Sequence, residues 1–468
     1  MEQVEIVGAG AEGMAVAKPE QKVVFVPFAA PGDVVDLQVI KRKKNFFEGK
    51  ILQLHQASSE RVDPVCSHFT VCGGCKWQHI DYVHQLRHKH RQVIDNFERI
   101  GKFPHPDVRP IIGSEKQYYY RNKLEYTFSN RRWLPVKPSE NDSSPINYNA
   151  LGFHLPGMFD RILDIDHCYL QADPSNAIRL AVRDYALQNG LSFYDARNNE
   201  GLLRNLIVRT IPDDQLMVIL VVKALNEQIS EGLLPFIAAG FPQITSLMYV
   251  VNPKKNDQIS DLEAVLFSGL PYVTGTMKAP KAGDAALQFR IGPLSFYQTN
   301  SPQAEQLYLT AYDFAGFNGN ELVYDLYTGT GTIALYVARS VKKVIGIEYV
   351  EDAVRDAGIN AQLNGISNVE FVAGDMAKVL DEAFIAQNGR PDVVITDPPR
   401  AGMHPAVIEQ LLKIAPEKIV YVSCNPATQA RDIAMLDGQY EVKAIQPVDM
   451  FPQTHHVENV VLLLRKEA

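Results

Sequence analysis

Two side chains near the end of the chain have types and positions that suit covalent chemistry. Cys424 ends a predicted buried strand, and Glu458 begins the last predicted strand. A thiolate is a strong nucleophile, and a carboxylate near it can act as a general base. Because a free thiol is only slightly ionised at neutral pH, a catalytic Cys424 needs help from nearby polar or basic groups.

A glycine-rich turn follows another predicted strand of the same region. The segment DLYTGTG at 325–331 contains Gly329 and Gly331, and Glu348 ends the next predicted strand. Glycines let the backbone approach a ligand closely, and a carboxylate at this distance can accept hydrogen bonds from a ribose diol. The pattern predicts an adenosine-containing cofactor, and both NAD and S-adenosylmethionine fit it.

One reaction would use the cysteine, the carboxylate and a methyl donor together. Carbon 5 of uracil is too weak a nucleophile to take a methyl group directly. Addition of Cys424 to carbon 6 would activate carbon 5, and Glu458 would then remove the carbon-5 proton so that the cysteine can leave. In structured RNA the target base must first be unstacked, which costs a few kcal/mol.

The other four cysteines form a candidate metal site. Cys66, Cys72 and Cys75 lie in CSHFTVCGGC at 66–75, and Cys168 follows much later. Four thiolates suit either a tetrahedral zinc ion or a 4Fe–4S cluster, and the spacing does not choose between them. Four ligands and one nucleophile would account for all five cysteines of the chain.

Strand and helix patterns alternate regularly from about residue 320 onward. Continuous Val and Ile runs in the strands predict a doubly wound, mainly parallel sheet. Ligands of such sheets bind outside the carboxyl ends of the strands. The predicted sheet therefore brings the glycine turn, Glu348, Asp397 and Cys424 to one rim.

The remainder of the chain predicts two further domains, in keeping with a length of 468 residues. Five short strands separated by Gly, Pro and Asp in residues 1–56 predict a small β-barrel. A mixed α+β region with the cysteines follows, and its polar segment at 135–148 predicts a surface loop. We place the domains at 1–57, 58–290 and 291–468.

The charge is distributed unevenly, although the net charge is only −8. Residues 1–137 carry a net charge of +6 and the rest −14. Basic residues neutralise phosphates, and the aromatic residues among them can stack on unpaired bases, so this region favours nucleic-acid binding. No signal peptide or transmembrane stretch is predicted, and we expect a cytoplasmic protein without membrane association.

In combination, these motifs resemble the RNA 5-methyluridine methyltransferase family, most closely its iron–sulfur branch that modifies 23S ribosomal RNA. The resemblance covers nearly the whole chain. It implies an N-terminal TRAM domain, which is an OB-like RNA-binding barrel, a central iron–sulfur domain and a C-terminal Rossmann-like class I methyltransferase domain. It also implies S-adenosylmethionine as cofactor and a 4Fe–4S cluster held by the four cysteines.

The resemblance assigns roles to individual residues. The motif FYQTN at 296–300 places Gln298 at the cofactor, where Tyr327, Glu348 and Asp397 also fall. SCNP at 423–426 carries the nucleophile Cys424, and HVEN at 456–459 carries the general base Glu458.

We therefore expect a monomeric enzyme that makes 5-methyluridine in 23S ribosomal RNA. Three alternatives stay open. The first is methylation of transfer RNA, although that branch resembles this chain less. The second is amino methylation of adenine, in which the fourth residue of the Asp-Pro-Pro motif is usually aromatic, whereas here it is Arg400. The third is a non-catalytic RNA-binding module.

Overall fold

The computed structural model describes residues 1–135 and 147–467. Most of the surface loop predicted at 135–148 lies outside these residues. None of the helices that the structure describes is long and apolar enough to cross a membrane.

The N-terminal region forms the predicted β-barrel. In its first four strands, buried side chains alternate with more exposed ones, so Val, Ile, Ala and Leu residues fill the interior. The strands are β1 (Val4–Ala9), β2 (Ala15–Ala17), β3 (Val24–Val26), β4 (Val34–Arg42) and β5 (Phe47–Gln56). They close in the order β1-β2-β3-β5-β4, so no strand edge is left free.

The central region contains a second sheet of seven strands, in the order β12-β11-β10-β9-β6-β7-β8. These strands are β6 (Lys123–Ser129), β7 (Ala150–His154), β8 (Ile162–Leu163), β9 (Leu203–Ile211), β10 (Gln215–Val222), β11 (Ser246–Val251) and β12 (Ala264–Gly269). Its helices are α1 (Tyr82–Asn96), α2 (Ser175–Gln188) and α3 (Leu234–Gly240), and a hairpin of β13 (Val273–Met277) and β14 (Leu287–Ile291) follows.

The C-terminal region is the predicted doubly wound sheet. Its seven strands run in the order β17-β16-β15-β18-β19-β21-β20. They are β15 (Leu322–Leu326), β16 (Lys343–Glu348), β17 (Val369–Ala373), β18 (Val393–Thr396), β19 (Lys418–Ser423), β20 (Tyr440–Val448) and β21 (Glu458–Arg465). The helices are α4 (Ser301–Ala315), α5 (Thr332–Ala338), α6 (Glu351–Leu363), α7 (Met376–Val379), α8 (Glu382–Asn388), α9 (Pro405–Ile414) and α10 (Pro426–Leu436).

Strand β21 departs from the parallel pattern. β21 is antiparallel to both β19 and β20, whereas β15 to β19 pair in parallel. An antiparallel strand begins at the rim where its parallel neighbours end. Ser423 of β19 is therefore opposite Asn459 of β21, which brings Cys424 next to Glu458.

Helix α1 packs on the C-terminal region, although it precedes the central sheet in the sequence. Its residue Val93, with Phe97 and Phe103 just beyond it, belongs to the same apolar core as strands β15, β18 and β19. Burial of these side chains drives the contact. Segment 82–112 thus lies in the central part of the sequence, but it packs as part of the C-terminal region.

Candidate active site

A cleft of about 1510 Å³ opens at the carboxyl ends of the C-terminal strands. Seven of the eight predicted catalytic and cofactor residues line it, namely Gln298, Tyr327, Gly329, Glu348, Asp397, Cys424 and Glu458. Pockets for a single small ligand are usually about 300–1,000 Å³. The cleft therefore has room for a cofactor and for a second reactant beside it.

The glycine turn and Glu348 are held together at one side of the cleft. The N–H of Gly329 donates to Glu348 Oε2 at 3.0 Å, and the N–H of Val350 donates to Glu348 Oε1 at 2.9 Å. Each carboxylate oxygen keeps a free lone pair for a ligand hydroxyl. Nothing lies within 4 Å of where a Cβ would stand on Gly329, so a ligand can approach the backbone there.

Gly331 is the predicted cofactor residue that does not line the cleft. It precedes α5 with φ +81°, and a Cβ there would stand 2.9 Å from the Phe371 ring and 3.0 Å from Ala357. The residue must be glycine because of its backbone conformation and this close packing. Gly331 therefore shapes the glycine turn beside the cleft but does not itself line the cleft.

Gln298 lies on the segment that leads into α4. Asn122 fixes this segment, because its Nδ2 donates to the carbonyl of Gln298 at 2.8 Å. Asn300 caps the helix by accepting from the N–H of Gln303, and its Nδ2 donates to the carbonyl of Met450 at 3.0 Å. The side chain of Gln298 is thus carried on a rigid helix start that faces the cleft.

Cys424 and Glu458 face the cleft from adjacent strands. Burial raises the pKa of Glu458 to about 8, with a further rise from Asp397 and an opposing effect of Arg400. Burial also raises the pKa of Cys424 to about 12, and the carboxylates of Glu458 and Asp397 add to this rise. The thiol is therefore neutral at rest, and its ionisation needs a proton acceptor and a change in its surroundings.

Two more groups set the electrostatics of this corner. Burial raises the pKa of Asp397 to about 7. Arg400 Nη2 lies 3.0 Å from His456 Nδ1, and the Arg400 backbone carbonyl accepts hydrogen bonds from Asn425 and Thr428. The positive charge of the Arg400 guanidinium partly offsets the rise in the pKa of both Cys424 and Glu458.

The four remaining cysteines line a separate cavity of about 410 Å³. Burial raises the pKa of Cys72 to about 12 and that of Cys168 to about 11, with small additions from the neighbouring thiols. Cys66 and Cys75 lie at the same cavity. Within 1–135 and 147–467, no three His, Cys, Asp or Glu residues are grouped so that they could hold a single metal ion.

Arg121 lines both the cysteine cavity and the cleft, and sequence reasoning placed it only among the basic residues. Its guanidinium carbon lies 5.8 Å from the Tyr120 ring centre and 5.4 Å from that of Phe451, within cation–π distance. In the sequence, Arg121 is marked only by the three tyrosines that precede it. This local pattern does not indicate that the residue lies between the cysteine cavity and the cleft.

Comparisons with known proteins agree with this architecture. A family model described as tRNA (Uracil-5-)-methyltransferase matches residues 271–466, and a TRAM domain model matches residues 2–52. Proteins named as uncharacterized RNA methyltransferases are 54% identical in Bacteroides thetaiotaomicron, over 97% of this chain and 99% of that relative, and 54% identical in Porphyromonas gingivalis, over 99% of both.

A solved structure is similar over almost the full length. It is a Pyrococcus abyssi tRNA (uracil-54, C5)-methyltransferase in complex with S-adenosyl-L-homocysteine. It is 28% identical, has a TM-score of 0.75, and the match covers 98% of this chain and all of that one. The N-terminal barrel, the C-terminal methyltransferase fold and the relatives together lead to one conclusion. The chain belongs to the S-adenosylmethionine-dependent RNA uracil-5-methyltransferase family, in a form with an N-terminal TRAM domain.

Proposed function

We propose that the protein methylates carbon 5 of a specific uridine in 23S ribosomal RNA, with Cys424 as nucleophile and Glu458 as general base. The observation that carries the chemistry is the meeting of a thiol, a buried carboxyl group and a glycine turn in one cleft. A uridine in transfer RNA is the second candidate, and the Pyrococcus abyssi neighbour favours it. The ribosomal assignment rests on the resemblance of the motifs.

The glycine-turn side of the cleft suits S-adenosylmethionine. Glu348 would accept hydrogen bonds from the ribose hydroxyls, and the open space at Gly329 would let the nucleoside lie against the backbone. Gln298, Tyr327 and Asp397 would contact the rest of the cofactor. When it is bound, S-adenosylmethionine supplies an electrophilic methyl group.

Cys424 would start the reaction at the opposite side of the cleft. Its sulfur forms a bond to carbon 6 of the uracil ring, the 5,6 double bond opens, and carbon 5 becomes nucleophilic. The thiol proton must leave as this bond forms, and the carboxylate of Asp397, which influences the pKa of Cys424, is the nearby acceptor that leaves Glu458 free for the later step. Closure of the cleft by RNA would exclude water from this exchange.

Glu458 would complete the reaction. Once carbon 5 carries the methyl group, it still holds its original hydrogen, which must leave as a proton. Glu458 accepts that proton, the 5,6 double bond re-forms, and the bond between Cys424 and carbon 6 breaks. Burial and the raised pKa of about 8 give Glu458 a strong affinity for this proton.

The pH dependence of product release tests the charge of Arg400. Glu458 works only when ionised, so release should rise as the pH increases through about 8 and level off above it. In Arg400→Gln the opposing positive charge is lost, the pKa of Glu458 rises further, and the profile should move to higher pH by up to about 1 unit. The measurement is the decay rate of the covalent RNA adduct between pH 6 and 10.

Arg390→Gln is the matched control, because Arg390 is on the same domain but contacts the carbonyl of Ala415 outside the cleft. Its profile should equal that of the wild type. An unchanged profile in Arg400→Gln would contradict the assigned electrostatic effect.

We also propose that Cys66, Cys72, Cys75 and Cys168 hold a 4Fe–4S cluster. Thiolates are the ligands of such clusters, one on each iron. The four thiols line one cavity but are not grouped to hold a single ion, and a cluster offers them four separate irons. The proposed uracil reaction needs no electron transfer, so the cluster would have a structural or RNA-orienting role.

Substitution of a cavity cysteine tests the cluster. Cys72→Ser should reduce bound iron from about four per chain to near zero and remove the visible iron–sulfur absorbance. The thermal unfolding midpoint should fall as well, because metal binding contributes to folding. Cys424→Ser is the control, since it changes the one cysteine outside the cavity and should keep the iron. One zinc per wild-type chain would contradict the proposal.

The substrate is tested with isotopically labelled S-adenosylmethionine and a mixture of unmodified ribosomal and transfer RNA. After separation and digestion, labelled 5-methyluridine should appear in the 23S pool. Label in the transfer-RNA pool would overturn the ribosomal assignment and keep the chemistry. Label on adenine would overturn the chemistry itself.

A further inference from the structure

The loop between β20 and β21, residues 449–457, connects three parts of the molecule. Lys89 Nζ of helix α1 donates to Asp449 Oδ1 at 2.6 Å, and both side chains are fully buried. The hydroxyl of Tyr120, from the central region, donates to the carbonyl of Pro452 at 2.9 Å. The loop then leads directly into Glu458 at the start of β21.

Gln453 is the residue of this loop with the most constrained position. Its side chain is paired with Gln85 of helix α1, whose Nε2 donates to Gln453 Oε1 at 3.0 Å. Gln85 Oε1 in turn accepts from the N–H of Gln453 at 3.0 Å. Gln453 is 2% exposed and has φ +68°, a conformation that a non-glycine residue keeps only when its surroundings impose it.

The carbonyl of Gln453 is bound by the segment that follows the cysteine cavity. The N–H groups of Lys76 and Trp77 donate to this one oxygen at 2.9 and 3.0 Å. Lys76 comes directly after Cys75, which lines the cavity. Gln85 strengthens the same junction, because its Nε2 also donates to the carbonyl of Trp77 at 3.1 Å.

These contacts connect the cysteine cavity with Glu458 by a short path. The proposed reaction does not itself require such a connection. It runs from Cys75 through the backbone of Lys76 and Trp77 to Gln453, and from there along the loop to Glu458. All of its hydrogen bonds are buried or partly buried, so water cannot replace them without cost.

We propose that Gln85 and Gln453 are positioning residues that fix the general base Glu458 relative to the four-cysteine site. This proposal rests on the proposed function of Glu458. The pair matters for the step in which Glu458 accepts the carbon-5 proton, and much less for the addition of Cys424, because Cys424 is held by a different segment, between the end of β19 and the start of α10. Loss of the pair should therefore slow release more than addition.

The test compares Gln85→Met with the wild type in single-turnover reactions with RNA and S-adenosylmethionine. Denaturing gels measure the covalent adduct, and mass spectrometry measures released 5-methyluridine. We expect release to slow by about 10- to 100-fold, with a rise in the adduct fraction and with a KM for S-adenosylmethionine within about threefold of the wild type. Should Gln85→Met not fold, Gln453→Met removes the same pair from the loop side.

Two controls separate the possible outcomes. Val93→Ala weakens the apolar packing of the same helix without removing a hydrogen bond to the loop, and it should lower adduct and product together. Glu458→Gln reports on the general base itself. If Glu458→Gln accumulates adduct and Gln85→Met does not, the positioning role is wrong and the proposed function stands. If Glu458→Gln accumulates none, the assignment of the base is wrong, and the positioning role falls with it.

Discussion

Replacement of Cys424 by alanine should abolish formation of 5-methyluridine, with a loss of at least about 10⁴-fold in turnover. Without the sulfur, carbon 6 receives no nucleophile, carbon 5 is not activated, and the methyl donor has no partner. The side chain is small and half-buried at the end of β19, so its truncation leaves the sheet intact. The measurement is turnover together with RNA affinity. The affinity should stay within about threefold of the wild type, because one thiol group contributes little to binding that depends mainly on phosphate contacts.

Cys424→Ser is the sharper companion variant. A serine keeps the size and a polar atom, but its hydroxyl is much harder to ionise than a thiol, so no adduct should form. Both variants should bind S-adenosylmethionine like the wild type, because the glycine turn and Glu348 lie on other strands. Retained turnover in either variant would refute the nucleophile assignment.

Replacement of Glu458 by glutamine should stall the reaction after methyl transfer. The amide cannot accept the carbon-5 proton, so the bond between Cys424 and carbon 6 persists and a denaturation-resistant protein–RNA adduct accumulates. Loss of a general base typically costs about 10²- to 10⁴-fold. The buried site favours the neutral side chain, as the raised pKa of about 8 shows, so glutamine should fit without loss of folding.

Glu441→Gln provides the matched control for this variant. Glu441 is on β20 of the same sheet, where it pairs with Lys443 away from the cleft. It should turn over like the wild type and show no stable adduct. A Glu458→Gln protein that releases 5-methyluridine at the normal rate would show that another group, for which Asp397 is the nearest candidate, removes the proton.

Much of the C-terminal site could be predicted because its signals are local. Continuous apolar strands alternate with helices, and parallel strands end at one rim, so Glu348, Asp397 and Cys424 had to lie near one another. The place of Glu458 followed less directly. It depends on β21 being antiparallel and on its register with β19, since a shift by one residue would turn Glu458 away from the cleft.

Other features of the site leave no recognisable pattern in a single sequence. Gly329 and Gly331 look alike in the turn, yet one faces the cleft and the other packs on Phe371, because the difference depends on a strand that lies 40 residues later. The positions of Arg121 and Gln453 depend on contacts between segments that are hundreds of residues apart. Neither composition nor spacing records such contacts.

The packing of helix α1 on the C-terminal sheet has a consequence for biosynthesis. Lys89 precedes its partner Asp449 by 360 residues, so at about 5–20 residues per second the ribosome adds the partner roughly 18–72 s later. During this time the apolar side of the nascent helix, around Val93 and Phe97, lacks the complete sheet that covers it in the folded protein. The newly made chain therefore exposes apolar side chains of this helix until its last strands emerge, and a gene cut just before the C-terminal region would yield a protein that lacks part of its own core.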